Sequence, residues 1–140
     1  MATRSTIAAE FADGQVAQIY CHHDGYLNHN GQLLQDYYSD LEKVKQLIDQ
    51  GDMSSLGKNI DANGVDPCIF YIRDRGETNC IASWYKDYED YLINKLEEEY
   101  NYVLRSVNGK STWFVQHQDS NNKFELLETA FRRLEVESLK

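Results

Sequence analysis

The chain has 140 residues, 41% apolar and 26% charged, with a formal net charge of −9 from 23 acidic and 14 basic residues. That length suits one domain with a real buried core, so residues 1–140 are read as a single domain. The acidic balance argues against direct nucleic-acid binding or an anionic membrane, which need clustered Lys and Arg, and no apolar run approaches the roughly 20 residues that cross a bilayer.

The start, "MATRSTIAAEF", has no signal-peptide hydrophobic region, so the expected location is the cytoplasm. Three cysteines, Cys21, Cys68 and Cys80, lack CxxC spacing and are expected as free thiols. Ten tyrosines are a high count, and Tyr suits interfaces as well as cores.

In chain order, "TRSTIAAEF" (3–11) reads as a strand. "QVAQIYCH" (15–22) reads as a second, with Val16, Gln18 and Tyr20 on one face and Ala17, Ile19 and Cys21 on the other. Asp13-Gly14 between them predicts a two-residue type I′ hairpin turn. "GQLLQDYY" (31–38) predicts a short helix with Leu33, Leu34, Tyr37 and Tyr38 inward. "SDLE" predicts a capping box at Ser39 that opens a second helix with the stripe Leu41, Val44, Leu47 and Ile48, ending at Gly51.

Residues 52–66 read as loop, "CIFYI" (68–72) as a strand, and "NCIAS" (79–83) as a further strand. Trp84, Tyr88, Tyr91, Leu92 and Leu96 follow helical spacing. "YNYVLRSV" (100–107) and "KSTWFVQH" (110–117) form two strands around an Asn108-Gly109 turn. The segment 123–139 places Phe124, Leu127, Phe131 and Leu134 on one face of a final helix. Hairpins dominate, so the expected fold is α+β: a mainly antiparallel sheet with helices packed on one face.

Three motifs carry candidate chemistry. "QIYCHHDGYLNHNG" (18–31) concentrates Cys21, His22, His23, Asp24 and His29. Neighbours on a strand point to opposite faces, which weakens a metal site. His22 held by Asp24 would make an oriented general base. The plainer reading is a polar turn in which Gly25 takes a positive φ and Tyr26 folds onto the core. In "CIFYIRDRGE", Arg73 and Arg75 either grip a phosphate or carboxylate by fork geometry or form solvated ion pairs worth about 0–1 kcal/mol each. With Arg4, His22, Asp24 and Tyr26 they make up the candidate ligand site. The third motif, "YKDYEDYLINKLEEEYNY", combines Tyr85, Asp87, Tyr88, Glu89, Asp90, Tyr91, Glu97 and Glu98 into an acidic, Tyr-rich candidate partner surface. Acids at a helix C-terminus oppose its dipole, which favours either an interaction role or a helix that ends before Glu98.

Gly-rich phosphate loops, GxSxG and HExxH are not found in the sequence, which lowers an enzymatic reading; no metal or cofactor is expected. The stretches "TRSTIA" (3–8), "DGQVAQIYCHHDGYLNHNGQLLQDYY" (13–38) and "KVKQLIDQGDMSSLG" (43–57), with "RDRGE" and "YNYVLRSVNGKSTWFV" more loosely, resemble a family of small proteins encoded by phages, prophages and mobile elements. Members often carry Trp where His23 stands, which argues against an essential His23. The resemblance spans most of the chain and implies genomic context; it assigns no reaction and no catalytic residue.

The leading expectation is a phage-type accessory protein that binds and inhibits a host defence or nucleic-acid-processing protein, such as an anti-CRISPR factor. Its partner would have a basic surface. The alternative is a small-ligand module that binds or cleaves a nucleotide signal through the region of Arg4, His22, Asp24 and Arg73. Surface Tyr and the final helix would also suit a homodimer.

Overall fold

A computed structural model describes residues 2–139. Strands β1 (Ser5–Glu10) and β2 (Val16–Cys21) form the first hairpin, with Ser5 opposite Cys21 and Glu10 opposite Val16. Its turn is not type I′. Phe11 N–H donates to Gln15 O at 2.9 Å, and of Asp13 and Gly14 only Gly14 has a positive φ, at 91°. This is a three-residue loop with a left-handed Gly, the next most common hairpin solution.

A π-helical turn at Leu27–Gly31 leads into α1 (Gln32–Tyr37), followed by α2 (Leu41–Asp49). Asp40, not Ser39, caps α2, its carboxylate accepting Glu42 N–H at 3.2 Å. Val44, Leu47 and Ile48 are buried as the stripe predicts, and Gly51 closes the helix at φ 87°. Tyr38 is fully buried, whereas Tyr37, expected inward, is 40% exposed.

The region expected as loop contains β3 (Met53–Ser55). "CIFYI" yields only the two-residue β4 (Ile69–Phe70) before the chain turns into α3 (Tyr71–Arg75). The cause is local: the Asp74 carboxylate accepts Phe70 N–H at 2.8 Å, and Gly76 stops the turn at φ 66°. The next strand lies later than "NCIAS", as β5 (Ser83–Tyr85), so Trp84 is in a strand and α4 is only Tyr88–Asn94.

Strands β6 (Tyr100–Val107) and β7 (Lys110–Gln116) meet at Asn108-Gly109, both with positive φ, as a type I′ turn requires. The final segment divides into β8 (Phe124–Leu126) and α5 (Leu127–Ser138).

The fold is α+β. The sheet runs β4-β3-β2-β1-β6-β7-β8, with β5 also on β2. Five pairings are antiparallel; β1–β6 and β2–β3 are parallel. On β2's outer edge, β5 takes Val16–Gln18 and β3 takes Cys21. In the gap, Tyr20 N–H donates to Asp52 Oδ1 at 2.9 Å; burial raises that carboxyl's pKa, against the hydrogen bond.

The main core lies on one sheet face, where Ile7, Ala9, Ile19, Tyr102, Leu104 and Val115 meet Leu34, Leu47, Ile48, Leu127 and Ala130 of α1, α2 and α5. Tyr38 O accepts Trp113 Nε1–H at 2.8 Å, and Tyr38 OH donates to Gly57 O at 2.6 Å. On the opposite face α4 lays Tyr91 over Ala8, Val16, Tyr85 and Val103, flanked by Tyr88, Phe114 and Phe124. Phe124 thus belongs to this smaller core and not to a continuous C-terminal stripe.

Among the described residues the Tyr91 hydroxyl is the one buried side-chain polar atom without a hydrogen-bond partner. Leaving such a group unpaired costs about 1–3 kcal/mol. Tyr91→Phe is therefore expected to raise stability by about 1 kcal/mol, read as a higher urea midpoint at unchanged m-value. A lower midpoint would show that the hydroxyl is satisfied.

Candidate functional site

The motif at 18–31 is built around Asn30. This side chain is fully buried, and its Nδ2 donates to Ser5 Oγ at 3.2 Å, His23 O at 3.2 Å and Cys21 Sγ at 3.4 Å. Its Oδ1 pairs with His29 Nδ1 at 3.0 Å, and its backbone N–H donates to Asp24 O at 3.1 Å. Asp24, not Gly25, takes the left-handed conformation, at φ 58°. Gly25 is needed for a close approach: a Cβ there would stand 2.7 Å from Ser5 Cβ. Its N–H donates to Thr3 O at 2.8 Å, and its carbonyl accepts Tyr102 OH at 2.7 Å. Tyr26, expected on the core, is 40% exposed.

The cysteines have no activating surroundings. Burial pushes the Cys21 thiol up to about 12, and raises Cys68 and Cys80 as well. Among the described residues no group of three or more His, Cys, Asp and Glu is arranged to hold a metal ion.

His22 is oriented by Tyr20: the phenol oxygen and His22 Nδ1 share a hydrogen bond of 2.7 Å. No hydrogen bond joins His22 to Asp24 among the described residues, so the expected His–Asp dyad does not form. Desolvation first, then the charges of His23, Arg4 and Arg75, hold the His22 pKa below that of a free imidazole. Burial raises the Tyr20 pKa, opposed by Arg4.

The sequence grouped Arg73 with these residues, and the structure separates it. Its guanidinium donates to Ile60 O, to Cys68 O at 3.1 Å and to Asp74 Oδ1 at 3.0 Å, and it lies over the Phe70 ring. Arg73 is a staple for the 59–70 loop, with its fork already occupied. Arg75, two residues on, is exposed and sits over the Tyr71 ring at 5.6 Å.

On the acidic helix, Asp87 and Asp90 serve the backbone. Asp87 accepts Asp90 N–H at 2.8 Å; Asp90 accepts Lys86 N–H at 3.0 Å and the Asn94 amide at 2.7 Å. These hydrogen bonds hold the Asp90 carboxyl below the usual range. Tyr91 is fully buried, Tyr85 is 8% exposed and donates to Gln18 Oε1, and Tyr88 lies under the Arg105 guanidinium at 3.5 Å. The phenols therefore face inward and do not decorate the exterior. What faces outward is Glu89 with Leu92, Ile93 and Leu96, exposed by 41%, 74% and 51%. The helix ends at Asn94, before Glu97 and Glu98; Glu97 instead pairs with the buried Lys95 at 3.0 Å.

One pairing was not visible in the sequence. His117, 4% exposed, meets Glu125 Oε2 through Nε2 at 2.8 Å, and Glu125 also accepts Arg133. Arg133, more than His117, holds the Glu125 carboxyl low. His117 stacks on Tyr100 at 5.5 Å and borders an acidic cleft of about 530 Å³ with Glu98, Glu99 and Asp119. Only the β7–β8 register, which sets Val115 opposite Glu125, brings the pair together.

Asn30→Ala is expected to destabilise the fold by about 1–3 kcal/mol, because it strands buried polar partners; chemical denaturation measures it. His22 should titrate by NMR below about 6.5 and move upward in Arg4→Gln. Because the unfolded chain binds that proton first, His22's contribution to stability is present above about pH 6.5 and is lost as pH falls through the lower folded value. The chain matches no protein-family model, no curated protein and no solved structure.

Proposed function

We propose that this protein is a phage-type accessory factor that acts in the host cytoplasm by binding and inhibiting a host defence or nucleic-acid-processing protein with a basic surface. The observation that carries this reading is the outer face of α4. Glu89, Leu92 and Ile93 follow steps of three and four on α4, with Leu96 exposed just past its end, yet the helix already buries a different stripe, Tyr88 and Tyr91, against the sheet. A two-turn helix with a second, exposed aliphatic row has more apolar surface than its own core requires. Acids around that row, in a chain of net charge −9, supply complementarity to a basic partner. The resemblance to phage and prophage proteins supports the same setting.

Asp87 and Asp90 are unsuitable probes, since both cap α4. The double variant Glu89→Lys/Ile93→Arg alters only exposed side chains and is expected to keep the native melting temperature. In affinity purification from host cells, wild type should retain one stoichiometric basic protein and inhibit it after purification. The variant should lose that partner. Retention of the same partner by the variant would count against this surface, and capture without inhibition would count against the inhibitory role.

A further inference from the structure

Beyond α4 the 95–99 segment continues over the second sheet face, burying Thr6, Gln18 and Asn101. The accessible part lies past it, where β1 begins and β2 ends: Arg4 is exposed, and Tyr20 and His22 are half-buried. There the register sets Ser5 opposite Cys21, so the next residues outward, Arg4 and His22, are cross-strand neighbours on the side away from Cys21. Tyr20 stands one pleat inward on that side, as its hydrogen bond to His22 requires. Tyr71 joins from the start of α3: its N–H donates to Asp52 O at 3.2 Å while Tyr20 N–H donates to Asp52 Oδ1 at 2.9 Å, and Arg75 lies over the Tyr71 ring.

Two features distinguish this patch from ordinary surface. Arg4 and Arg75 are exposed and make no ion pair among the described residues, although the chain carries 23 acids. The Tyr20 hydrogen bond occupies His22 Nδ1 and leaves Nε2 free. The remaining titratable neighbours are His23, Asp52, whose Oδ1 accepts Tyr20 N–H, and the carboxylates Glu77 and Glu98, of which Glu98 bears on both Tyr20 and His22.

We propose that this end of the sheet binds a nucleoside phosphate, with Arg4, Arg75 and His22 Nε2 holding the phosphate and the Tyr20 and Tyr71 rings receiving the base. Arginine forks suit phosphate oxygens, and partly exposed aromatic rings accept any base by stacking. The net charge of −9 repels a long polyanion, so the ligand is a small nucleotide and not a nucleic-acid strand. This site is separate from the α4 surface, and either can fail without the other.

The test is calorimetric titration of the full chain with AMP, GMP, CMP and UMP, against inorganic phosphate at the same ionic strength. At least one nucleotide should bind saturably, tenfold or more tightly than phosphate. Arg4→Gln and Arg75→Gln should each weaken binding about tenfold while the melting temperature stays unchanged, the loss expected for one charge-assisted contact. Tyr71→Leu should lower nucleotide affinity towards that of phosphate, and Glu98→Gln should tighten binding, a gain that misfolding does not mimic. Failure of all four nucleotides to bind at millimolar concentration overturns the proposal. So does affinity equal to that of phosphate, or unchanged affinity in Arg4→Gln. The Glu89→Lys/Ile93→Arg variant should bind nucleotide as wild type does.

Discussion

The parallel pairing of β1 with β6 is the constraint on which the rest of the molecule depends. Every other strong pairing near it is a hairpin or a short edge contact. This one joins the N-terminal hairpin to the C-terminal one across most of the chain, from Ser5–Tyr100 to Ala9–Leu104. Thr6 Oγ1 donates to Asn101 Oδ1 at 2.8 Å within it, both residues almost fully buried. A lone buried polar group would be costly; here each satisfies the other and so favours this register over its neighbours. Without that register, Ile7 and Ala9 would not share a face with Tyr102 and Leu104, and the main core would have no floor.

A second buried polar side chain shapes the opposite face. Gln18 is 1% exposed; its Nε2 donates to Leu96 O at 3.0 Å, while its Oε1 accepts Leu96 N–H at 3.0 Å and the Tyr85 hydroxyl at 2.9 Å. The backbone of Leu96 is thereby tied to β2 and withdrawn from helical hydrogen bonding. That is a physical reason for α4 to end where it does, leaving Glu97–Glu99 to bend into β6, with Asn101 pairing to the Glu98 backbone. The dipole conflict visible in the sequence is resolved by stopping the helix, and the same anchor leaves Leu92, Ile93 and Leu96 outside.

Much of the architecture was legible because it is local. Asn108-Gly109 specifies its turn by φ alone, and the Val44, Leu47 and Ile48 stripe specifies the buried face of α2. Errors gathered where a side chain competes with a neighbouring backbone. Asp74 claims Phe70 N–H and converts an apparent strand into α3; Asp40 displaces Ser39 as a cap; Gln18 shortens α4. Of the candidate ligand residues, Arg4 and His22 are brought together because pleat and register follow from the hairpin. Arg73 is lost because its carbonyl partners, Ile60 and Cys68, lie in a loop without periodicity. The Tyr-rich helix misled for a simpler reason: composition says that phenols are numerous, and only packing says which way they face.

The long span between Thr6 and Asn101 has a consequence during synthesis. The first hairpin leaves the ribosome with its inner strand edge bare, and 95 further residues separate Thr6 from the partner that covers it. At roughly 5–20 residues per second, that edge waits on the order of 5–20 s for β6. Over that interval the nascent chain displays Ile7, Ala8 and Ala9 beside unsatisfied amides, the kind of template on which strands of other chains assemble. The edge is therefore exposed to wrong strand pairing for as long as β6 is unmade, and slower translation of the middle of the message would lengthen that exposure.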